Sequence, residues 1–196
     1  MLKPELRKFY LAKQKSLSAE ERINLSQKIA DNFFSSFSFE SIRNLHIFIP
    51  IEQNSEIATN LIYEKIWREF PQIQTFVPRL CVENLEHLQF TANTQLAKNS
   101  WQISEPIGDE IFVETTFDMV VVPLLCADEK GFRVGYGKGF YDKFLSKGRK
   151  DCLKIGVSYF EPIEKISDVN EFDVKLDFIV SPKGTKKFFK LNERKY

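Results

Sequence analysis

Between Pro123 and Asp142 the chain reads PLLCADEKGFRVGYGKGFYD, and four of its eight glycines, Gly131, Gly135, Gly137 and Gly139, fall there. Arg133 and Lys138 are threaded among them and Asp142 follows. Glycine has no Cβ, so successive backbone N–H groups can turn toward one point, and such a concavity binds anions. Two cations and a carboxylate beside it are what a polyphosphate with a divalent metal requires. Residues 119–122, upstream, read as a buried strand, and residues 140–145 read as the first turns of a helix. Strand, glycine loop and helix N-terminus in that order place an anion site at the end of a parallel sheet. Glycines between a strand and a helix also make plain turns, and the standard nucleotide patterns fail here. Gly139, not Ser or Thr, follows Gly137-Lys138, and Phe140 stands where a dinucleotide fingerprint has its third glycine.

The rest of the chain alternates in a way that would hold such a loop at a sheet edge. Pro4 suits the first turn of a helix running to about residue 15. Ser18-Ala19-Glu20-Glu21 is a capping box opening a second helix with Leu25, Ile29 and Phe33 on one face. A strand over 45–51 and a helix over 58–70, with Leu61, Ile62, Ile66 and Phe70 inward, come next. Strands follow at 74–77, 120–125, 153–157 and 178–180, the last closing the sheet. Residues 85–90 read as an antiparallel edge or hairpin piece, and 111–117 fit neither pattern. Alternation of this kind predicts a largely parallel sheet covered by helices on both faces.

With 196 residues and 43% hydrophobic content, the chain can bury a core as one domain, residues 1–196. A net charge of +1 argues against nucleic acid as a partner. The lysines over 183–190 read as a solvated end. Cys81, Cys126 and Cys152 are odd in number and far apart, which points to a reducing compartment and against a disulfide framework or zinc. His46 and His87 read as strand residues, not ligands. The charged, helix-patterned start is unlike a signal peptide, and the longest apolar run, 119–127, contains Pro123 and falls far short of a membrane span. The expectation is a soluble, cytoplasmic protein with no membrane partner.

Segment 123–145 resembles the signature of the 5-formyltetrahydrofolate cyclo-ligase (methenyltetrahydrofolate synthetase) family, roughly PGxxFDxxGxRLGxGxGYYDxxL. Further matches keep the family's order. Lys3-x-x-Leu6-Arg7 resembles its N-terminal basic motif, Glu56 with Thr59 its Glu-x-x-Thr, and Asp173 its late aspartate before the last strand. The similarity spans about residues 3–180. Leu124 replaces the usual glycine, Cys126-Ala127 stands where a small residue then Phe is common, and no glutamine follows the strand near residue 157.

The resemblance implies a three-layer α/β/α sandwich, Rossmann-like, mostly parallel and related to phosphosugar isomerases. It implies ATP-dependent closure of 5-formyltetrahydrofolate, with or without a polyglutamate tail, to 5,10-methenyltetrahydrofolate with release of ADP and phosphate. Carried onto this sequence, ATP would meet Lys3, Arg7 and the run Arg133, Val134, Gly135, Tyr136, Gly137, Lys138, Gly139, Phe140 and Tyr141. Arg133, Lys138 and Tyr141 would serve catalysis, while Asp142 and Asp173 would hold magnesium. The folate would meet Ile49, Glu56, Tyr136, Gly137, Lys138, Gly139 and Phe140, with Trp101 a further aromatic candidate. Two other readings compete. A phosphosugar isomerase could share the fold but has no use for Lys3, Arg7 or paired aspartates, and a non-catalytic folate or nucleotide binder would make no product. The sequence leaves the oligomeric state open, and a monomer is compatible with it.

Overall fold

The computed structural model describes residues 1–81, 84–100, 102–108 and 110–188. Pro4 lies in the first turn of helix α1 (Lys3–Lys15), where its missing N–H leaves no helix bond unmade. Ser18 caps α2 (Ala19–Ser36). Its hydroxyl accepts from the Glu21 N–H, and the Glu21 carboxylate accepts from the Ser18 N–H at 2.7 Å. Helices α3 (Asn60–Glu69) and α4 (Phe140–Lys147) complete the α-helices among the described residues.

The strands are β1 (Asn44–His46), β2 (Gln74–Leu80), β3 (Leu85–Phe90), β4 (Leu96–Lys98), β5 (Ser104–Pro106) and β6 (Ile111–Phe112). Then come β7 (Met119–Pro123), β8 (Cys126–Ala127), β9 (Arg133–Val134), β10 (Leu153–Val157), β11 (Phe178–Ser181) and β12 (Gly184–Lys187). Eight of them form one sheet in the order β12-β11-β10-β7-β1-β2-β3-β6. Its centre, from β11 to β2, is parallel, with Leu45 of β1 opposite Met119 of β7 and Thr75 of β2. Antiparallel strands flank it on both sides.

The Met119-Val120-Val121-Val122 run shows why a parallel centre forms. Successive side chains point to opposite faces. Met119 and Val121 pack with Ile29 and Phe33 of α2 and Ile62 and Ile66 of α3. Val120 and Val122 pack on the other face with Phe144 and Leu145 of α4. Both faces are covered, so the strand is apolar throughout. A third cluster joins Leu6 and Tyr10 of α1 to Leu125, Cys126, Val134 and Ile166.

Some boundaries differ from the expectation. The strand expected over 45–51 ends at His46; the Ile47 N–H still donates to the Phe76 carbonyl of β2, and the chain then forms a loop. β2 runs three residues beyond Val77, where Pro78, Arg79 and Leu80 pair with His87, Glu86 and Leu85 of β3. β3 is the hairpin piece of the two alternatives, antiparallel to β2, and β6 flanks it, so it is not the edge. Nor does β11 close the sheet. Lys186 and Lys187, read as part of a solvated end, belong to β12, and Lys186 pairs with Glu129. A strand this polar has no apolar alternation to betray it; pairing with β11 decides it. Among the described residues no helix is long and apolar enough to cross a membrane.

His46 and His87 are strand residues as expected, but they meet. Both are buried, with Nδ1 of His87 3.1 Å from Nε2 of His46, among the rings of Phe117 and Phe144. Their remaining ring nitrogens have no hydrogen-bond partner among the described residues. Burial lowers both, His87 to about 4, with Glu114 and Lys147 acting in opposite directions on it. A histidine kept neutral by the fold is protonated first in the unfolded chain. Stability is therefore full above the unfolded value near 6.5 and falls as pH drops toward 4. The His87 shift corresponds to about 3 kcal/mol over that window. Thermal melts between pH 7.5 and 4.5 should show this acid limb, and His87→Phe should flatten it. An unchanged limb in that variant would move the effect to the carboxylates.

Candidate active site

β1 leads through α3 to β2 on one side, whereas β7 leads through α4 to β10 on the other. Where connections diverge in this way, a crevice opens beyond the carboxyl ends of the two strands. The loop after β1, the segment from β8 to α4, and α1 are the pieces of chain around it.

Asp128 shapes the second piece. It is buried, and its Oδ1 accepts from the N–H groups of Lys130 (2.9 Å) and Phe132 (3.0 Å), its Oδ2 from that of Ile166 (3.2 Å). That closes the turn of the β8–β9 ribbon, after which the chain enters the glycine loop and reaches Gly139, the N-cap of α4. Gly137 has φ 95° and Gly139 φ 70°, conformations that side chains with a Cβ resist. A Cβ at Gly137 would also lie 2.9 Å from the Arg7 guanidinium carbon, so glycine here lets α1 lie against the loop. Arg7 Nε donates to the Gly135 carbonyl at 2.9 Å. Lys138 is exposed and makes no ion pair among the described residues. The first N–H groups of α4 have no partner within the helix, as at any helix start.

The two aspartates expected at a metal each hold a cation. Arg133 is buried with 4% of its side chain exposed, and it donates to Asp142 Oδ1 (2.7 Å) and to the Val174 carbonyl (2.5 Å). The same Oδ1 accepts from the Val174 N–H at 3.0 Å. Lys3 Nζ lies 2.6 and 2.5 Å from the two oxygens of Asp173, whose Oδ2 also accepts from the Asn170 N–H. Arg133 feels the charge of both aspartates, which places the four groups in one neighbourhood. This gives Arg133 a different task from the one expected. Its guanidinium is turned into the protein and fixes Asp142, leaving Lys138 as the loop's exposed cation. Among the described residues no three His, Cys, Asp or Glu side chains converge. The donor set still fits magnesium, a hard ion that takes one or two carboxylates and completes its shell with phosphate and water oxygens.

Glu56 lies on the loop after β1. Thr59 Oγ1 donates to the Phe48 carbonyl at 2.6 Å, and Tyr159 donates to the Glu56 carbonyl at 3.1 Å, which pins the loop to the sheet. The carboxylate accepts from the Ile51 N–H at 2.8 Å and from the Tyr136 hydroxyl. Burial pushes it up to about 7, against the pull of those donors. Around it is a small recess lined by Gln14, Phe48, Ile57, Pro123, Leu124 and Tyr136. Leu124, which replaces the glycine of the family signature, therefore stands in the recess wall.

Other expected site residues are more dispersed. Ile49 packs toward the α2–α3 core, and Phe48 lines the recess in its stead. Val134 is buried under α1, and Phe140 is half-buried at the start of α4. Tyr141 stacks edge-on to His46, and its hydroxyl is buried without a hydrogen-bond partner among the described residues. Burial raises it further above the usual phenol range. Trp101 lies outside the described residues. Gln14 was not expected; its only signal is that positions 3, 7 and 14 share one face of α1.

The sequence model of the 5-formyltetrahydrofolate cyclo-ligase family matches residues 1–182. A 5-formyltetrahydrofolate cyclo-ligase of Mycoplasma genitalium is 29% identical over 91% of this chain and 96% of its own, and the mouse enzyme of that name 25% identical over 85% and 86%. The solved structure of Aquifex aeolicus 5,10-methenyltetrahydrofolate synthetase superposes with a TM-score of 0.81 at 26% identity, covering the whole of both chains. With the glycine loop, the basic face of α1 and Glu56 gathered at one crevice, these likenesses show that the chain belongs to the 5-formyltetrahydrofolate cyclo-ligase family.

Proposed function

We propose that ATP lies along the glycine loop and α1, that the formylated folate enters the recess at Glu56, and that the γ-phosphoryl group passes between them. The observation that carries this is the convergence of α1 on the loop. Arg7 reaches Gly135 and Lys3 reaches Asp173 across 128 and 170 residues of sequence, which seats α1 on the loop and brings the Arg7 guanidinium against Gly137, next to the exposed Lys138, where a triphosphate needs positive charge.

The chemistry explains why a nucleotide is needed. A formamide carbonyl is a poor electrophile, and its oxygen cannot leave as hydroxide at neutral pH. Attack of that oxygen on the γ-phosphorus breaks the bond to ADP and gives an iminium phosphate. The anilino nitrogen of the same folate then attacks the activated carbon, loses its proton, and phosphate departs. Both reacting groups belong to one bound molecule, so holding its rotamer supplies much of the second step.

Phosphoryl transfer asks the protein for position and charge more than for covalent chemistry. Lys138 meets the transferring group, with Arg7 and the loop N–H groups on the remaining phosphates. Arg133 acts indirectly by fixing Asp142. Magnesium, when bound, would neutralise phosphate charge and would be held by Asp142 and Asp173, with Lys3 yielding its place on Asp173. Glu56 offers carboxylate oxygens to N–H donors of a pterin, and Tyr136 and Phe140 supply aromatic wall. Three free thiols suit a reducing cytoplasm.

Purified protein with 5-formyltetrahydrofolate, ATP and magnesium should develop the absorbance of the methenyl product, and omission of ATP should abolish it. A well-folded sample giving no such signal would overturn the assignment. Turnover of a sugar phosphate without ATP would favour the isomerase reading.

A further inference from the structure

The inner face of α1 does more than carry cations. Lys3, Leu6, Arg7, Tyr10 and Gln14 follow the i, i+3, i+4, i+7, i+11 spacing of one helical stripe. From Lys3 to Gln14 that stripe covers about 16 Å at 1.5 Å per residue. Its first end is salt-bridged to Asp173, and its middle holds the glycine loop through Arg7. Its last member, Gln14, is 3% exposed and sits at the other end, in the recess wall.

A buried amide must find partners, and the Gln14 NH2 finds two on different segments. It donates to the Asn54 carbonyl at 2.7 Å, in the 3-10 turn Glu52–Asn54 two residues before Glu56, and to the Tyr136 hydroxyl at 3.4 Å, inside the glycine loop. A hydroxyl that accepts from an amide has its own proton left to give, and Tyr136 gives it to Glu56. The Ile51 N–H holds Oε2 of the same carboxylate. A side chain of the same size without the amide could fill the space but could not orient Tyr136.

We propose that Gln14 is a positioning residue, tying the loop that carries Glu56 to the glycine loop through Tyr136, so that folate-side geometry depends on how α1 is seated. This rests on the reading that the recess receives the folate. Binding of nucleotide along α1 then steadies the carboxylate that meets the second substrate, without any contact between the two ligands. The titration of Glu56 reports the state of the relay. Burial holds its carboxyl near 7, and donation from Tyr136 keeps it from rising further. The other groups facing it are Tyr141 from α4 and Tyr159 beyond β10, with Arg22 of α2 near Tyr159.

The test compares Gln14→Met, Tyr136→Phe and the double variant, which keep volume and remove only polar contacts. In steady-state kinetics each single change should raise KM for 5-formyltetrahydrofolate about tenfold, the scale of one lost oriented hydrogen bond, with KM for ATP nearly unchanged. The double variant should be no worse than the worse single one, because both changes break one chain of contacts. In the free protein, NMR titration of the Glu56 carboxyl should move upward from about 7 in both single variants. Wild-type KM and titration in Gln14→Met, or effects that multiply in the double variant, would overturn the proposal. If the wild-type protein made no methenyl product, the functional reading would fail, and the titration would still decide whether the relay exists.

Discussion

Lys138→Ala should lower kcat by about 10²–10³, the usual result of deleting one preorganised charge at a transferring group. The side chain is exposed and pairs with no carboxylate among the described residues, so its loss should leave the melting temperature unchanged. KM for 5-formyltetrahydrofolate should stay within about a factor of two, because the contact operates on the phosphate in the transition state. Lys138→Arg should recover part of the rate, as it keeps the charge but alters its reach. If kcat in Lys138→Ala stays close to wild type, the cation on the phosphoryl group must come from Arg7, whose guanidinium lies beside Gly137. Rate and melting curves on the same preparations distinguish these outcomes.

Asp142→Ala should be damaging for two separable reasons. The carboxylate is the partner of Arg133, whose side chain is 4% exposed and has few alternatives. Removing one member of such a pair leaves a buried charge uncompensated, which costs about 3–5 kcal/mol when both partners are buried. Asp142 is itself 29% exposed, so water can approach and the lower end applies. For a domain of this size, that lowers Tm by roughly 10 °C. Asp142→Asn separates the effects, because an amide oxygen can still accept from Arg133 and from the Val174 N–H. That variant keeps the hydrogen bonds but not the counter-charge, so it should melt between Asp142→Ala and wild type, while its magnesium-dependent kcat falls about 10²-fold or more, as expected when a metal's charged ligand is lost. Full activity in Asp142→Asn would remove this aspartate from the metal site. Equal melting temperatures for Asp142→Ala and wild type would mean that water already satisfies Arg133.

These two residues lie four positions apart, yet one should affect rate alone and the other rate and stability together. Nothing in their side-chain types predicts that split. It follows from where the loop turns: Asp142 is tied to the buried Arg133, which opens the two-residue strand β9, whereas Lys138 sits between two left-handed glycines and is exposed. The sequence reading assigned both cations to the phosphate because charge and spacing do not report burial.

Much that is local was legible in the chain. The Ser18–Glu21 capping box, Pro4 at a helix start and the two-sided apolar run 119–122 each state their conformation within a few residues, and each is found as expected. The order of strand, glycine loop and helix was equally plain, and with Lys3, Arg7, Glu56 and Asp173 it sufficed to place the chain in its family. Tertiary structure alone decided which of those groups meet. Lys3 finds Asp173, His46 finds His87, and Gln14 links Asn54 to Tyr136 over separations of 170, 41, 40 and 122 residues. β12 likewise exists because β11 offers it an edge, not because its residues favour a strand. Propensity and periodicity act between neighbours along the chain, whereas the strength of a charge or a hydrogen bond depends on burial and on partners brought from afar.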